Sequence, residues 1–143
     1  MAKVKTNRGL LKYILLTLVT CGIYELFFIN GIANDMNTMC KDDGLKTKGI
    51  LGFIVLTCVT CGIYPMVWFY GVANRLSENG NKYGLNISEN GTNFLLWMIF
   101  GALLCGIGPF VAMHALCKNL NRVGEAYNKT LETPAAPAAS AEA

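Results

Sequence analysis

The sequence predicts an all-α integral membrane protein made of three repeated helix-break-helix units, and three observations predict it. Leu16 to Tyr24, reading Leu-Thr-Leu-Val-Thr-Cys-Gly-Ile-Tyr, returns as Leu-Thr-Cys-Val-Thr-Cys-Gly-Ile-Tyr at Leu56 to Tyr64, and more loosely as Leu-Leu-Cys-Gly-Ile-Gly at Leu103 to Gly108. A short motif recurring at such a spacing marks a repeated structural unit. Each copy lies inside an apolar run, Leu10 to Ala33, Ile50 to Ala73 and Phe94 to Cys117, of the length expected of a segment solvated by lipid. Finally, 53% of the residues are hydrophobic and only 15% charged, against roughly 25% charged in soluble domains.

The first unit, about residues 8–40, opens on a basic segment containing Lys3, Lys5, Arg8 and Lys12. Positive charge before an apolar run places that end on the cytoplasmic side of a bacterial membrane. The same start imitates a secretory signal with a cysteine box at Leu18 to Cys21. Because Cys58-Val59-Thr60-Cys61 repeats the pattern deep in the chain, it is read as structural, with no cleavage expected.

The second unit, about 48–80, overlays the first without a gap: Arg8 to Asn37 falls on Lys48 to Ser77, with Gly9/Gly49, Gly31/Gly71, Ala33/Ala73 and Asn34/Asn74 preserved. The third, about 91–128, is a diverged copy in which Pro109 aligns with Pro65, and Leu120 with Leu76 and Met36. Glycine at Gly22, Gly62 and Gly106, and proline at Pro65 and Pro109, break each unit at its centre, since proline is tolerated in a first helical turn. Polar turns at Lys41 to Gly44 and Glu78 to Asn81 join the units. The membrane domain is thus expected to end near residue 129, before an Ala/Pro-rich tail, 130–143, with too little apolar surface to stay ordered.

Two topologies fit. A single kinked span of about 24 residues would reach roughly 36 Å, enough for a hydrocarbon core of about 30 Å, but it places Glu25 near the bilayer centre, at a cost of about 2.5–3.5 kcal/mol. A short hairpin puts Glu25 at the turn and all charged loops on one face, at the expense of reach. The carboxylate favours hairpins.

Thr20-Cys21-Gly22-Ile23-Tyr24, its copy Thr60-Cys61-Gly62-Ile63-Tyr64 followed by Trp68 and Tyr70, and a glycine-rich third run closing on Leu120-Asn121 together resemble the small prokaryotic membrane proteins of the domain of unknown function 4234 family. The likeness covers Arg8 to about Tyr127. It implies an integral membrane protein of prokaryotes or their phages and carries no activity, cofactor or catalytic residue.

The chemistry-bearing residues have structural readings. Cys58 and Cys61 have dithiol or half-zinc spacing, but apolar surroundings raise a thiol pKa, so they are expected to be packed and inert. Cys21, Cys61 and Cys105 are read as small residues that let helices approach closely, with Gly106 and Ile107 completing the third motif. His114 stands alone and is expected to bond to a neighbouring helix rather than hold a metal. Glu25 is a functional candidate as a lone carboxylate in an apolar segment, although its repeat partners are prolines. Asn34 and Asn74 are expected to cap helices or bond between repeats.

No catalytic, cofactor-binding or metal site is assigned, and nothing has the spacing of a nucleic-acid module. The expected partners are the lipid bilayer and a membrane protein or further copies of the chain. A non-enzymatic packing scaffold is the leading expectation, ahead of a small channel, holin-like pore or transporter component, and of a membrane thiol or metal protein.

Overall fold

A computed structural model describes residues 2–133 as six α-helices with no strand among the described residues. They are α1 (Leu10–Val19), α2 (Ile23–Met39), α3 (Ile50–Val59), α4 (Tyr64–Gly80), α5 (Gly91–Leu103) and α6 (Gly108–Glu132), with single 3-10 turns at Lys41–Asp43 and Asn81–Tyr83. The three breaks fall where the repeated motif places them. Ring contacts straddle them symmetrically: Tyr13 of α1 lies 4.7 Å from Phe28 of α2, and Phe53 of α3 lies 5.4 Å from Trp68 of α4. Each unit therefore folds back on itself as a hairpin, and the kinked single span does not form. No helix among the described residues is long and apolar enough to cross a membrane. The expected tail starts inside α6, whose last turn takes in Thr130 to Glu132; the remainder of that tail, 134–143, lies outside the described residues.

The second helix of every hairpin faces the centre. Met36, Leu76 and Leu120, which occupy one repeat position, are all fully buried, and Ile32, Val72 and Leu116 one turn earlier are buried as well. Burying a side chain of this size contributes about 1.5–3 kcal/mol, so α2, α4 and α6 form the stable centre. The shorter α1, α3 and α5 pack outside them and expose Leu11, Leu51 and Leu96.

The third hairpin is tighter than the others. A Cβ on Gly101 of α5 would sit 2.3 Å from the Cα of Gly108, and one on Gly108 would sit 2.0 Å from the Trp97 carbonyl oxygen. Backbone lies directly on backbone there, an approach only glycine permits. The second unit has Thr57 and Tyr64 at the equivalent positions.

Candidate functional site

The break motif is a helix stop joined to a helix start. In the first unit Gly22 N–H donates to the Thr17 carbonyl at 2.8 Å and Cys21 N–H to the Leu18 carbonyl at 3.2 Å, the paired pattern of a Schellman stop. The second unit repeats both bonds from Gly62 and Cys61. Thr20 Oγ1 then donates back to the Leu16 carbonyl at 2.7 Å and accepts the Tyr24 N–H at 2.9 Å, and Thr60 does the same between Leu56 and Tyr64. One hydroxyl thus serves the end of one helix and the start of the next. The cysteines take the left-handed conformation, at φ 49° for Cys21, 50° for Cys61 and 55° for Cys105. A side chain with a Cβ is strained there by about 1–2 kcal/mol.

Those cysteines are exposed, as is Cys58, which overturns the expectation that they are packed thiols mediating close helix approach. Glycine does that work in the third hairpin, while the cysteines stand on the outside of the turns. Around them the surface is apolar. Val19, Val59 and Leu103, one repeat position, are 80%, 73% and 80% exposed, and Ile23, Ile63 and Ile107, the position just past the break, are 59%, 64% and 62% exposed. Glu25, Pro65 and Pro109, again one repeat position, line a common cavity, so the three tips gather at one end of the molecule.

The opposite end is a polar collar. Position 37/77/121 grips the segment leading into the next hairpin. Asn37 accepts the Thr47 N–H at 2.7 Å and donates to the Thr47 carbonyl at 2.9 Å. Ser77 donates to the Ile87 carbonyl at 2.8 Å, and Asn121 accepts the Arg8 N–H at 2.9 Å and donates to the Arg8 carbonyl at 2.7 Å. The first unit holds the second, the second the third, and the third the first.

Position 35/75/119, two residues earlier and so on a different helix face, grips the segment leading into its own hairpin. Asp35 pairs with Arg8, Arg75 binds Asp43, Thr47 and Leu45, and Asn119 donates to Glu89 at 3.2 Å. Every lead-in is held from both sides, and the ring closes. Asn128, two turns after Asn121, bonds both backbone groups of Val4.

Arg75 is the buried charged member, 4% exposed. Its guanidinium donates to both oxygens of Asp43, at 2.6 and 2.9 Å, and to Asn37, Thr47 and the carbonyls of Cys40 and Leu45. All five donors of the group are therefore used. The hydrogen bonds from Arg75 hold the Asp43 carboxyl down at about 2. Burial pushes the Cys40 and Cys117 thiols up to about 11. Beside the collar, Asn119 Oδ1 is buried without a partner among the described residues, next to a void of about 20 Å³, room enough for one water.

Between the collar and the tips lies a cavity of about 260 Å³ on the axis, walled by all three hairpins. Tyr13 and Glu25 come from the first, Met66 and Phe69 from the second, Phe94, Met98, Phe110 and Met113 from the third. The buried layer at Ile32, Val72 and Leu116 lies beneath it. Glu25 supplies the cavity's one ionisable carboxylate, beside the Tyr13 phenol. Among the described residues no lysine or arginine pairs with it; the three ion pairs are Lys3–Glu132, Arg8–Asp35 and Arg75–Asp43.

The family model described as Domain of unknown function (DUF4234) matches the chain twice, over residues 8–78 and over residues 48–122. The chain belongs to the DUF4234 family. Each match takes in two hairpins, and the second hairpin is shared between them. No curated protein and no solved structure matches this chain.

Within this DUF4234 chain the other expected residues fall in different surroundings. His114 is exposed on α6 and makes no hydrogen bond among the described residues, so it does not tie neighbouring helices together. Asn34 is exposed, and Asn74 donates to Glu78 one turn along its own helix at 2.9 Å. Neither caps a helix or joins repeats. The residues that do join them, Asn37, Ser77 and Asn121, were within reach of the repeat overlay, since Asn37 and Ser77 end its matched segment and Asn121 follows the aligned Leu120.

Proposed function

We propose that this DUF4234 protein is a non-enzymatic membrane protein whose three hairpins sit in one leaflet, with the polar collar in water on the cytoplasmic side of a bacterial membrane. The observation that carries the reading is the threefold repetition of exposed apolar residues at the tips: Val19/Val59/Leu103 and Ile23/Ile63/Ile107. Scattered surface hydrophobics are ordinary, whereas a clustered apolar end is an interaction surface. A helix the length of α1, 10 residues, rises about 15 Å, half of a hydrocarbon core of about 30 Å. Lys3, Lys5, Arg8 and Lys12 lie at or near the collar, which suits the anionic cytoplasmic face.

The same geometry supports a scaffold over a pore. Met36, Leu76 and Leu120 fill the axis, so a single chain offers water no path, and the exposed outer faces of α1, α3 and α5 remain for lipid, a second membrane protein or further copies.

The chain's own thiols provide the test. In vesicles of phosphatidylethanolamine and phosphatidylglycerol, a charged maleimide is expected to leave Cys21, Cys61 and Cys105 unmodified, and detergent is expected to expose them. The doubly substituted V59K/I63K chain is expected to lose flotation with the vesicles. A chain that stays in water as a compact monomer without detergent, and does not float, overturns the reading.

A further inference from the structure

We propose that the axial cavity is a binding site for a small lipophilic organic cation, an ammonium or similar group carrying a compact aromatic or branched apolar body. The hairpins bring together a void, a charge and the means to hold an apolar body. The void is about 260 Å³, just below the roughly 300–1,000 Å³ of drug-sized sites, which limits the ligand to a small one. The charge is Glu25, whose carboxylate has no cationic partner among the described residues. The walls are the rings of Phe69, Phe94 and Phe110 and the thioethers of Met66, Met98 and Met113. Aromatic faces attract cations by their quadrupoles, most strongly away from water, and methionines adapt to varied apolar shapes.

Charge complementarity selects this ligand class. An anion would meet Glu25 with no basic group lining the cavity, and a neutral hydrocarbon would leave the half-buried carboxylate with the Tyr13 hydroxyl but no counter-charge in an apolar site. The repeat sharpens the argument. At the position where the other two hairpins place Pro65 and Pro109 at the cavity wall, the first places a carboxylate, so the threefold arrangement is broken at one residue and toward one charge. The inference rests on the lining of this cavity and not on the placement of the tips in lipid.

The experiment compares benzyltrimethylammonium with its neutral carbon isostere, neopentylbenzene, by equilibrium binding to the full chain in detergent micelles, followed through saturation-transfer NMR and tryptophan fluorescence. The wild-type chain is expected to bind the cation at least tenfold more tightly than the isostere. Glu25→Gln is expected to erase that preference by weakening the cation and not the isostere, and Met98→Trp, which fills the cavity, to weaken both ligands. Equal affinity of the wild-type chain for cation and isostere overturns the proposal without recourse to any variant. So does a helical E25Q chain that keeps the preference, an M98W chain that binds the cation as the wild type does, or the absence of saturable binding.

Discussion

Arg75 Nη1 donates to the side-chain oxygen of Asn37 at 2.9 Å, and through that bond the second hairpin braces the clamp by which the first one holds it. The asparagine oxygen thereby serves two donors, the guanidinium and the Thr47 N–H. The collar is a network whose members share acceptors, so its residues should act together when removed.

Asp43→Asn is expected to destabilise the fold by about 3 kcal/mol, because removing one partner of a buried ion pair leaves the other charge uncompensated. Chemical denaturation monitored by helicity checks it. A double-mutant cycle with Asn37→Ala should return a coupling of about 1 kcal/mol or more.

Acid should unfold the collar through the same carboxyl. Asp43 is held at about 2 against an ordinary 3.8. A folded-state pKa below the unfolded one means that the unfolded chain binds the proton more readily. The stabilisation is therefore fully present above pH 4 and is lost as pH falls toward 2, a window in which Asp43→Asn should show a weaker pH dependence than the wild type.

Asn121→Leu should cost about 1 kcal/mol, since it strips partners from both the N–H and the carbonyl of Arg8 and leaves partly buried polar groups unmet. Amide exchange distinguishes this from general loosening: the Arg8 N–H should exchange faster by a larger factor than amides of α4.

Cys61→Gly is expected to stabilise the second hairpin by about 1 kcal/mol, because glycine adopts the left-handed conformation without the penalty paid at φ 50°. Cys61→Val should do the opposite, a β-branched side chain being worst suited to that conformation. Thermal unfolding of the two variants beside the wild type measures both signs.

Gly101→Ala and Gly108→Ala should each destabilise by about 2–3 kcal/mol or more, as the added carbon has no room to enter between α5 and α6. Near-ultraviolet circular dichroism should report the shift locally, since Trp97 sits at the point of closest approach.

The helices and their breaks are legible in the sequence because they depend on local chemistry, a glycine at each stop and, in two of the units, a proline in the next first turn, whereas the threonine that serves two helix ends shows itself only in the structure. Hydropathy does not reveal the cysteines' place, which is set by a backbone angle, and an apolar neighbourhood in the chain becomes an exposed tip in space. The collar was hidden for a different reason. Position 35/75/119 carries Asp, Arg and Asn, and position 37/77/121 carries Asn, Ser and Asn, so identity is lost while the task is retained. Their partners are mostly backbone groups or loop side chains, some more than a hundred residues away, as Arg8 is from Asn121. Glu25 stands out in the sequence as a lone carboxylate in an apolar segment, but its placement beside Pro65 and Pro109 around a shared void appears only once three hairpins are assembled.

A circle of clamps has no natural beginning. Lys3 and Glu132 are paired, so the two ends of the described chain meet, and the junctions at 44–47 and 84–86 have the same standing in the architecture as the termini. Joining the ends and reopening the chain at either junction should yield the same arrangement of hairpins.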